Sequence, residues 1–355
     1  MWRWPFLASL IPPEFRLSLG EGNTPLLRSR QIGASLGLEH LLLKCEGQNP
    51  SGSYKDRFAA VAVSNMLREG MRRCIATSSG NTGAALAAYC AAAGIDCQIA
   101  IVETAPDQKL KQMGAYGARL FKVRGFGVDP QITARVFQTI QSRARQLGAA
   151  LQISAYAYSE VGMRGVETIS YEIAEQAAEG IDHVFVPAGG GGLTLAIARG
   201  FASQNRRGPR VHCVQPRGND TIATPLRQGA ARARSVECAT LISGLQVANV
   251  IDGDQAIAAC RASGGTGYIV TDEAVWEMQR RLAQDEGIFC EPAGAVALAG
   301  AVEALNRGEI SRHDRICCLV SGNGFKDIAS LDRILEKSLC PTVDLSELEA
   351  NPCSI

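Results

Sequence analysis

Long apolar runs are missing from this chain. No stretch reaches the roughly 18 uninterrupted apolar residues of a membrane-spanning helix, and the Ala-rich run 84–93 is short and broken by Tyr89. An excess of charge of either sign is missing too. The formal net charge is +1, so neither nucleic acid nor an anionic membrane is expected as a partner. The four histidines (His40, His183, His212, His313) are scattered and fit no metal-ligand spacing, so no metal is expected. The twelve cysteines contain no C-x-x-C pair and sit mostly in apolar runs. They read as small buried hydrophobes of a reducing compartment, with a zinc or redox site as the alternative. The first residues, Met1-Trp2-Arg3-Trp4-Pro5-Phe6, show no sustained apolar core with a small-residue cleavage site. No signal peptide is expected there, and the cytoplasm is the expected location. Internal repeats, low-complexity tails and a Pro/Ser-rich linker are also lacking.

What is present is a globular composition, 46% hydrophobic and 20% charged, over 355 residues. That length predicts two domains or lobes. Short apolar runs at 41–44, 74–77, 97–102, 119–123, 183–187, 211–215 and 316–320 read as strands. Between them, 56–68, 82–93, 130–147, 161–178, 193–203, 272–285 and 292–305 read as helices. The alternation predicts an α/β fold with parallel strands covered by helices. Asn81 or Thr82 is expected to cap one helix and Asp272 another.

Four segments place Gly, Ser, Thr or Asn at strand ends, where α/β folds bind ligands. Asn49-Pro50-Ser51-Gly52-Ser53-Tyr54-Lys55-Asp56-Arg57 is a turn-rich loop running into a helix. A lysine at the positive end of a helix dipole is poorly placed for helix stability, but that field and desolvation favour its neutral, nucleophilic form. Thr77-Ser78-Ser79-Gly80-Asn81-Thr82-Gly83 follows a strand and opens the Ala-rich helix. Its backbone amides and hydroxyls suit a carboxylate. Pro187-Ala188-Gly189-Gly190-Gly191-Gly192-Leu193-Thr194 sets four glycines between strand and helix. That entropic cost is offset where the backbone must approach a phosphate closely, although the pattern is neither a Walker loop nor a dinucleotide fingerprint. Ser321-Gly322-Asn323-Gly324-Phe325-Lys326-Asp327 follows the last apolar strand and can present a hydroxyl to a ring nitrogen. Taken singly, each segment also reads as a loop or cap without a ligand. Glu291-Pro292-Ala293 reads as a helix start.

Together these segments resemble the fold-type II pyridoxal-phosphate (PLP) enzymes, the tryptophan-synthase-β-like superfamily. The resemblance runs from about residue 21 to residue 327 and starts with Glu21-Gly22-Asn23-Thr24-Pro25-Leu26. It implies a two-lobed α/β fold with open, mostly parallel sheets covered by helices. The large PLP-binding lobe is expected from 1–59 and 166–335, a smaller mobile substrate lobe from 60–165, and a C-terminal tail from 336–355. It further implies Lys55 as the catalytic, cofactor-bearing lysine, Asn81 at the ring hydroxyl, and Gly189, Gly190, Gly191 and Gly192 as the phosphate cradle. Ser321 would sit at the ring nitrogen. Ser78, Ser79, Gly80, Thr82, Ser154 and Arg164 are the expected substrate contacts, and a homodimer is the expected assembly.

Within the superfamily the chain is most similar to threonine synthases. It shares their Glu-Gly ahead of Asn-Pro-Ser-Gly-Ser, the Glu-Pro-Ala at Glu291 and the Ser-Gly-Asn-Gly-Phe-Lys-Asp ending, with Ser321 where Thr is usual. The resemblance implies a carbon–oxygen lyase that releases phosphate from O-phosphohomoserine and adds water to give threonine. Departures keep a second PLP activity open, β-elimination or β-replacement on serine, threonine or an O-activated serine. Phe58 stands where Gly is usual, and the four glycines followed by Leu193 are closer to serine/threonine dehydratases. Tyr156 and Ser159 occupy two of the positions where threonine synthases usually carry the Asn residues and Arg that bind the substrate's phosphate, with Arg164 as the nearby substitute. A non-catalytic ligand-binding relative is the third reading, and the intact lysine and glycine loop argue against it.

Overall fold

The computed structural model describes residues 1–78, 80–105, 107–127, 129–204, 208–247, 250–335 and 342–350. Among these residues, ten strands form two sheets: β1 (Leu26–Arg28), β2 (His40–Cys45), β3 (Arg73–Ser78), β4 (Asp96–Ile101), β5 (Arg119–Lys122), β6 (Ala150–Gln152), β7 (His183–Pro187), β8 (Arg210–Pro216), β9 (Gly267–Val270) and β10 (Arg315–Val320). One sheet has six strands in the order β1-β2-β10-β7-β8-β9, and the other has four in the order β5-β4-β3-β6. Every pairing is parallel except β1 with β2. The continuous apolar runs explain this arrangement. In β7 every residue is buried, and in β8 and β10 only the first escapes full burial, which is the signature of strands covered on both faces. The three strands not anticipated, β1, β6 and β9, are three or four residues long, too short for periodicity to register.

Helices cover the sheets. The helices Lys55–Arg68, Asn81–Ala93 and Tyr156–Gln176 bury long faces against one another and the strands. In Asn81–Ala93 the small side chains allow burial of eight consecutive residues, Gly83 to Cys90. The caps differ from expectation. Neither Asn81 nor Thr82 caps this helix. Gly80 is the cap residue, and the Ser78 hydroxyl accepts from the backbone N–H of Gly80 and Gly83, both at 2.9 Å. Asp272 begins its helix, and Thr271 caps it through Ala274 N.

The cysteines are mostly buried in the core. Cys74, Cys90 and Cys97 bring their sulfurs within 4.8 Å of one another where Asn81–Ala93 packs on β3 and β4. His183 and His212 stack inside the large sheet, and burial, then the neighbouring His183, pushes His212 down to about 3.

An ionic cluster lies beneath the start of Lys55–Arg68. Arg57 is fully buried and binds two carboxylates at once. Glu46 accepts from Nε at 2.7 Å and Nη2 at 2.8 Å, and Glu172 accepts from Nη1 and Nη2 at 2.7 Å each. Lys44, also fully buried, adds a 2.9 Å bond to Glu172. Burial opposes ionisation of Glu172, but Arg57 and then Lys44 outweigh it and hold the carboxyl well below its ordinary range. Removing one partner from such a group leaves buried charge unpaired, which typically costs about 3–5 kcal/mol. Arg57→Met is therefore expected to lower the free energy of unfolding by about 3–5 kcal/mol, read as a shift of the denaturant midpoint to lower concentration. An unchanged midpoint by circular dichroism would contradict the role given to this cluster.

Candidate active site

The carboxyl ends of the parallel strands converge on one region, which is where the sequence motifs begin. Following β2, a loop leads to Lys55, the first residue of its helix. Ser321 directly follows β10, and its carbonyl accepts from Tyr54 N at 3.1 Å. A bridge between Ser53 and Gly322 and a 2.9 Å bond from Asn323 N to Gly52 O tie the two loops together. From the four-stranded sheet, β3 delivers Ser78 and Gly80, and β6 delivers Ser154. Lys55 Nζ donates to Ser154 Oγ at 2.7 Å and lies 4.7 Å from the Tyr54 ring centroid.

The glycine loop after β7 is tight. Gly191 has φ +94°, which favours glycine. A Cβ there would lie 3.0 Å from Ile222 Cδ1, and one on Gly189 would lie 3.2 Å from Val247 Cγ2. Gly192 opens the helix Gly192–Ala202, whose cap residue Gly191 offers no side chain. First-turn amides have no intrahelical acceptor and form a site for a phosphate.

Asn81 carries a second diagnostic. Its Nδ2 donates to Glu291 Oε1 at 2.6 Å, while its Oδ1 is buried without a hydrogen-bond partner. A ring hydroxyl would satisfy that acceptor. The cradle and this orphaned oxygen fit PLP. Lys55 would carry it, Gly189 to Gly192 would hold its phosphate and Asn81 would meet its hydroxyl. Ser321, buried at the end of β10, would offer its hydroxyl to the ring nitrogen.

The other expected contacts divide. Ser78, Gly80 and Thr82 surround the start of Asn81–Ala93, although the Ser78 hydroxyl is engaged in capping. Ser79 lies outside the described residues. Arg164 is not brought to Lys55. Its Nε lies 3.2 Å from Glu167 and its guanidinium faces the Phe6 ring. Tyr156 and Ser159 also turn to local partners: the Tyr156 hydroxyl donates to Glu167 at 2.8 Å, and the Ser159 hydroxyl donates to Gln152 at 2.6 Å. Ser159 interrupts its helix with φ −142° and ψ 66°.

Two residues at the site, Lys109 and Asp252, escape the sequence reading, which takes Glu291 as a helix start and leaves a functional role for it open. Lys109 is buried, donates to Ser243 Oγ at 2.7 Å and stands 3.5 Å from Glu291 Oε2. Glu291 thereby joins Lys109 and Asn81, a role that its Glu-Pro helix-start pattern does not disclose. Asp252 accepts from Tyr156 N at 2.9 Å, and its Oδ2 lies 3.1 Å from where a Gly192 Cβ would be. Burial raises its carboxyl above the ordinary range against the opposing Tyr156 and Ala157 amides. Lys109 and Asp252 stand in segments without a motif, so nothing in the sequence pattern marks them.

Residues 17–322 match the model of the family described as pyridoxal-phosphate dependent enzyme. The chain is 33% identical to the threonine synthase of Methanocaldococcus jannaschii, over 98% of this chain and 86% of that one. It is 32% identical to the threonine synthase of Bacillus sp. (strain ULM1), over 88% and 85%. Among solved structures, it is similar to maize serine racemase, with TM-score 0.74, 25% identity, and 94% and 92% of the two chains covered. It is also similar to the threonine deaminase of T.th., with TM-score 0.72, 27% identity, and 85% and 92% covered.

Gly322 supplies a test of the cofactor fit. A Cβ there would fall 2.2 Å from Glu291 Oε1 and 3.3 Å from Asn81 Nδ2. Gly322→Ala is expected to push Glu291 off Asn81 and reduce the ratio of bound PLP to protein after gel filtration. A ratio equal to that of the unaltered protein would contradict the placement of Asn81 at the cofactor. With a family model matching residues 17–322 and threonine synthases 32–33% identical over most of its length, the chain belongs to the pyridoxal-phosphate dependent enzymes, as a threonine synthase-like member of fold type II.

Proposed function

We propose that this enzyme is a carbon–oxygen lyase of the threonine synthase type, which eliminates phosphate from O-phosphohomoserine and adds water to give threonine. The observation that carries the reading is the 33% identity to a threonine synthase across 98% of the chain. Bound PLP supplies an electron sink for the pair left when a proton departs from the substrate. Lys55 anchors the cofactor and, through Nζ, carries protons at the α and β carbons. Its hydrogen bond to Ser154 holds that amine in position. The start of Asn81–Ala93, with Ser78, Ser79, Gly80 and Thr82, receives the substrate carboxylate at the positive end of the helix. Ser321, being neutral, would hydrogen-bond the ring nitrogen without strongly protonating it, which suits elimination and replacement.

The placement of Arg164 on Glu167 and Phe6 favours a second reading. With that guanidinium turned away, β-elimination or β-replacement on serine, threonine or an O-activated serine needs no anchor for a γ-phosphate. The wider proposal has residues 60–165 as a lobe that moves over a small amino-acid substrate. It also has a homodimer acting in cytoplasmic amino-acid biosynthesis. Among the described residues, no helix is long and apolar enough to cross a membrane.

Incubation of the PLP-loaded enzyme with O-phosphohomoserine, O-phosphoserine, serine and threonine separates the readings by product mass. Threonine and free phosphate from O-phosphohomoserine are expected. Keto acid from serine or threonine, without threonine from O-phosphohomoserine, would overturn the first reading in favour of the second.

A further inference from the structure

A cavity of about 390 Å³ lies beside the Lys55 site, bordered by residues 47–52 and by the helix Asp107–Ala115. It touches the candidate active site through Gly80 and Asn81, but neither Lys55 nor any residue of 189–192 lines it. Two ammonium groups, Lys109 and Lys326, enter its lining, and among the described residues no Asp or Glu does. Amides and a hydroxyl supply much of the remaining polar wall, including Gln48, Asn49, Ser51, Gln112 and Asn323.

The two lysines are not equivalent. Lys109 shares Glu291 with Asn81. Lys326 is 6% exposed, donates to the neutral Gln112 Oε1 at 2.7 Å, and forms no ion pair among the described residues. A buried ammonium without a carboxylate is costly. Burial pushes Lys326 down to about 8, opposed by Glu291 and Asp56 and reinforced by Lys109. The amino end of Asn81–Ala93, reaching the cavity through Gly80, Asn81 and Ala84, adds positive potential. The walls come from both sheets' surroundings. Lys109 and Gln112 lie between β4 and β5, whereas Lys326 and Asn323 follow β10. Gln112 already bridges them, accepting from Lys326 and donating to Ser51 O at 3.0 Å. An occupant would therefore touch both sides of the seam and the loop that leads to Lys55.

We propose that this seam cavity is a second ligand site, adjoining the Lys55 site at Gly80 and Asn81 but lined by neither Lys55 nor the glycine loop, which takes a phosphate-type dianion between Lys326 and Lys109. The Lys326 ammonium, which has no carboxylate partner among the described residues, favours an anion together with Lys109 and the helix amino end. The Gln48 and Asn323 side chains add amide groups to the wall, whereas the Asn49 and Gln112 amides donate to Glu46 and Ser51. The volume leaves room for orthophosphate or for the phosphoryl end of a small phosphomonoester. The inference goes beyond the proposed reaction and holds whichever amino acid Lys55 acts on.

The test uses the PLP-loaded enzyme, so that the cofactor occupies its own cradle. An amine-acylating reagent is applied with and without orthophosphate or glycerol 3-phosphate, and Lys326 modification is read by peptide mass. Protection of Lys326 by either ligand, and not by chloride at equal ionic strength, is expected. Protection by glycerol 3-phosphate at lower concentration than by orthophosphate identifies a phosphomonoester site, and the reverse order identifies an orthophosphate site. In calorimetry, Lys326→Met is expected to weaken binding about tenfold or more, and Lys326→Arg to retain most of it. Absence of protection, equal protection by chloride, or saturable binding unchanged in Lys326→Met would overturn the proposal. The protection arm requires no substitution and stands even where Lys326→Met fails to fold.

Discussion

The buried pairing of Arg57 with Glu46 and Glu172 is the constraint on which the placement of Lys55 depends. Arg57 lies two residues after Lys55. Glu46 begins the loop after β2, and Glu172 stands in the helix Tyr156–Gln176. One guanidinium therefore ties together the loop before Lys55, the helix that Lys55 opens, and a helix from a distant part of the chain. Thr168 accepts from Nη1 at 2.9 Å and Thr24 accepts from Nη2 at 3.3 Å, so the planar fork is satisfied around its edge. Such a cluster contributes fixed geometry more than net stability, because desolvation offsets much of the Coulombic gain. Fixed geometry is what an amine needs if it is to meet a cofactor at a defined height above the strand ends.

The remaining site residues hang from the same frame. β10 lies between β2 and β7, so its end brings Ser321 between the Lys55 loop and the glycine loop. Across the seam, Asn81 and Lys109 meet Glu291 from the other side. These polar contacts, and those of Gln112 with Ser51 and Lys326, join the surroundings of the two sheets next to the cofactor site. Any movement of one side relative to the other would have to break or exchange them.

Much of this was legible in the sequence, and for physical reasons. Strands buried on both faces require unbroken apolar runs, so 183–187 and 316–320 announce themselves. A glycine loop between strand and helix carries an entropic cost that implies a close approach, so 189–192 does too. Short strands such as β6 leave no period to read. Arg164 shows where proximity in sequence misleads: a residue near Ser154 along the chain is turned by its helix toward Glu167 and Phe6. Lys109 and Asp252 show the converse. Each acts at the site through a tertiary contact, and the residues beside it in sequence form no pattern. The capping role of Ser78 likewise depends on the turn that brings its hydroxyl back to Gly83.

The central claim is that Lys55, among the lysines near these strand ends, carries the cofactor. Borohydride reduction of the PLP-loaded protein followed by peptide mapping tests it most directly. A stable pyridoxyl phosphate adduct on Lys55 is the predicted result, and an adduct on Lys109 or Lys326 in its place would contradict the account.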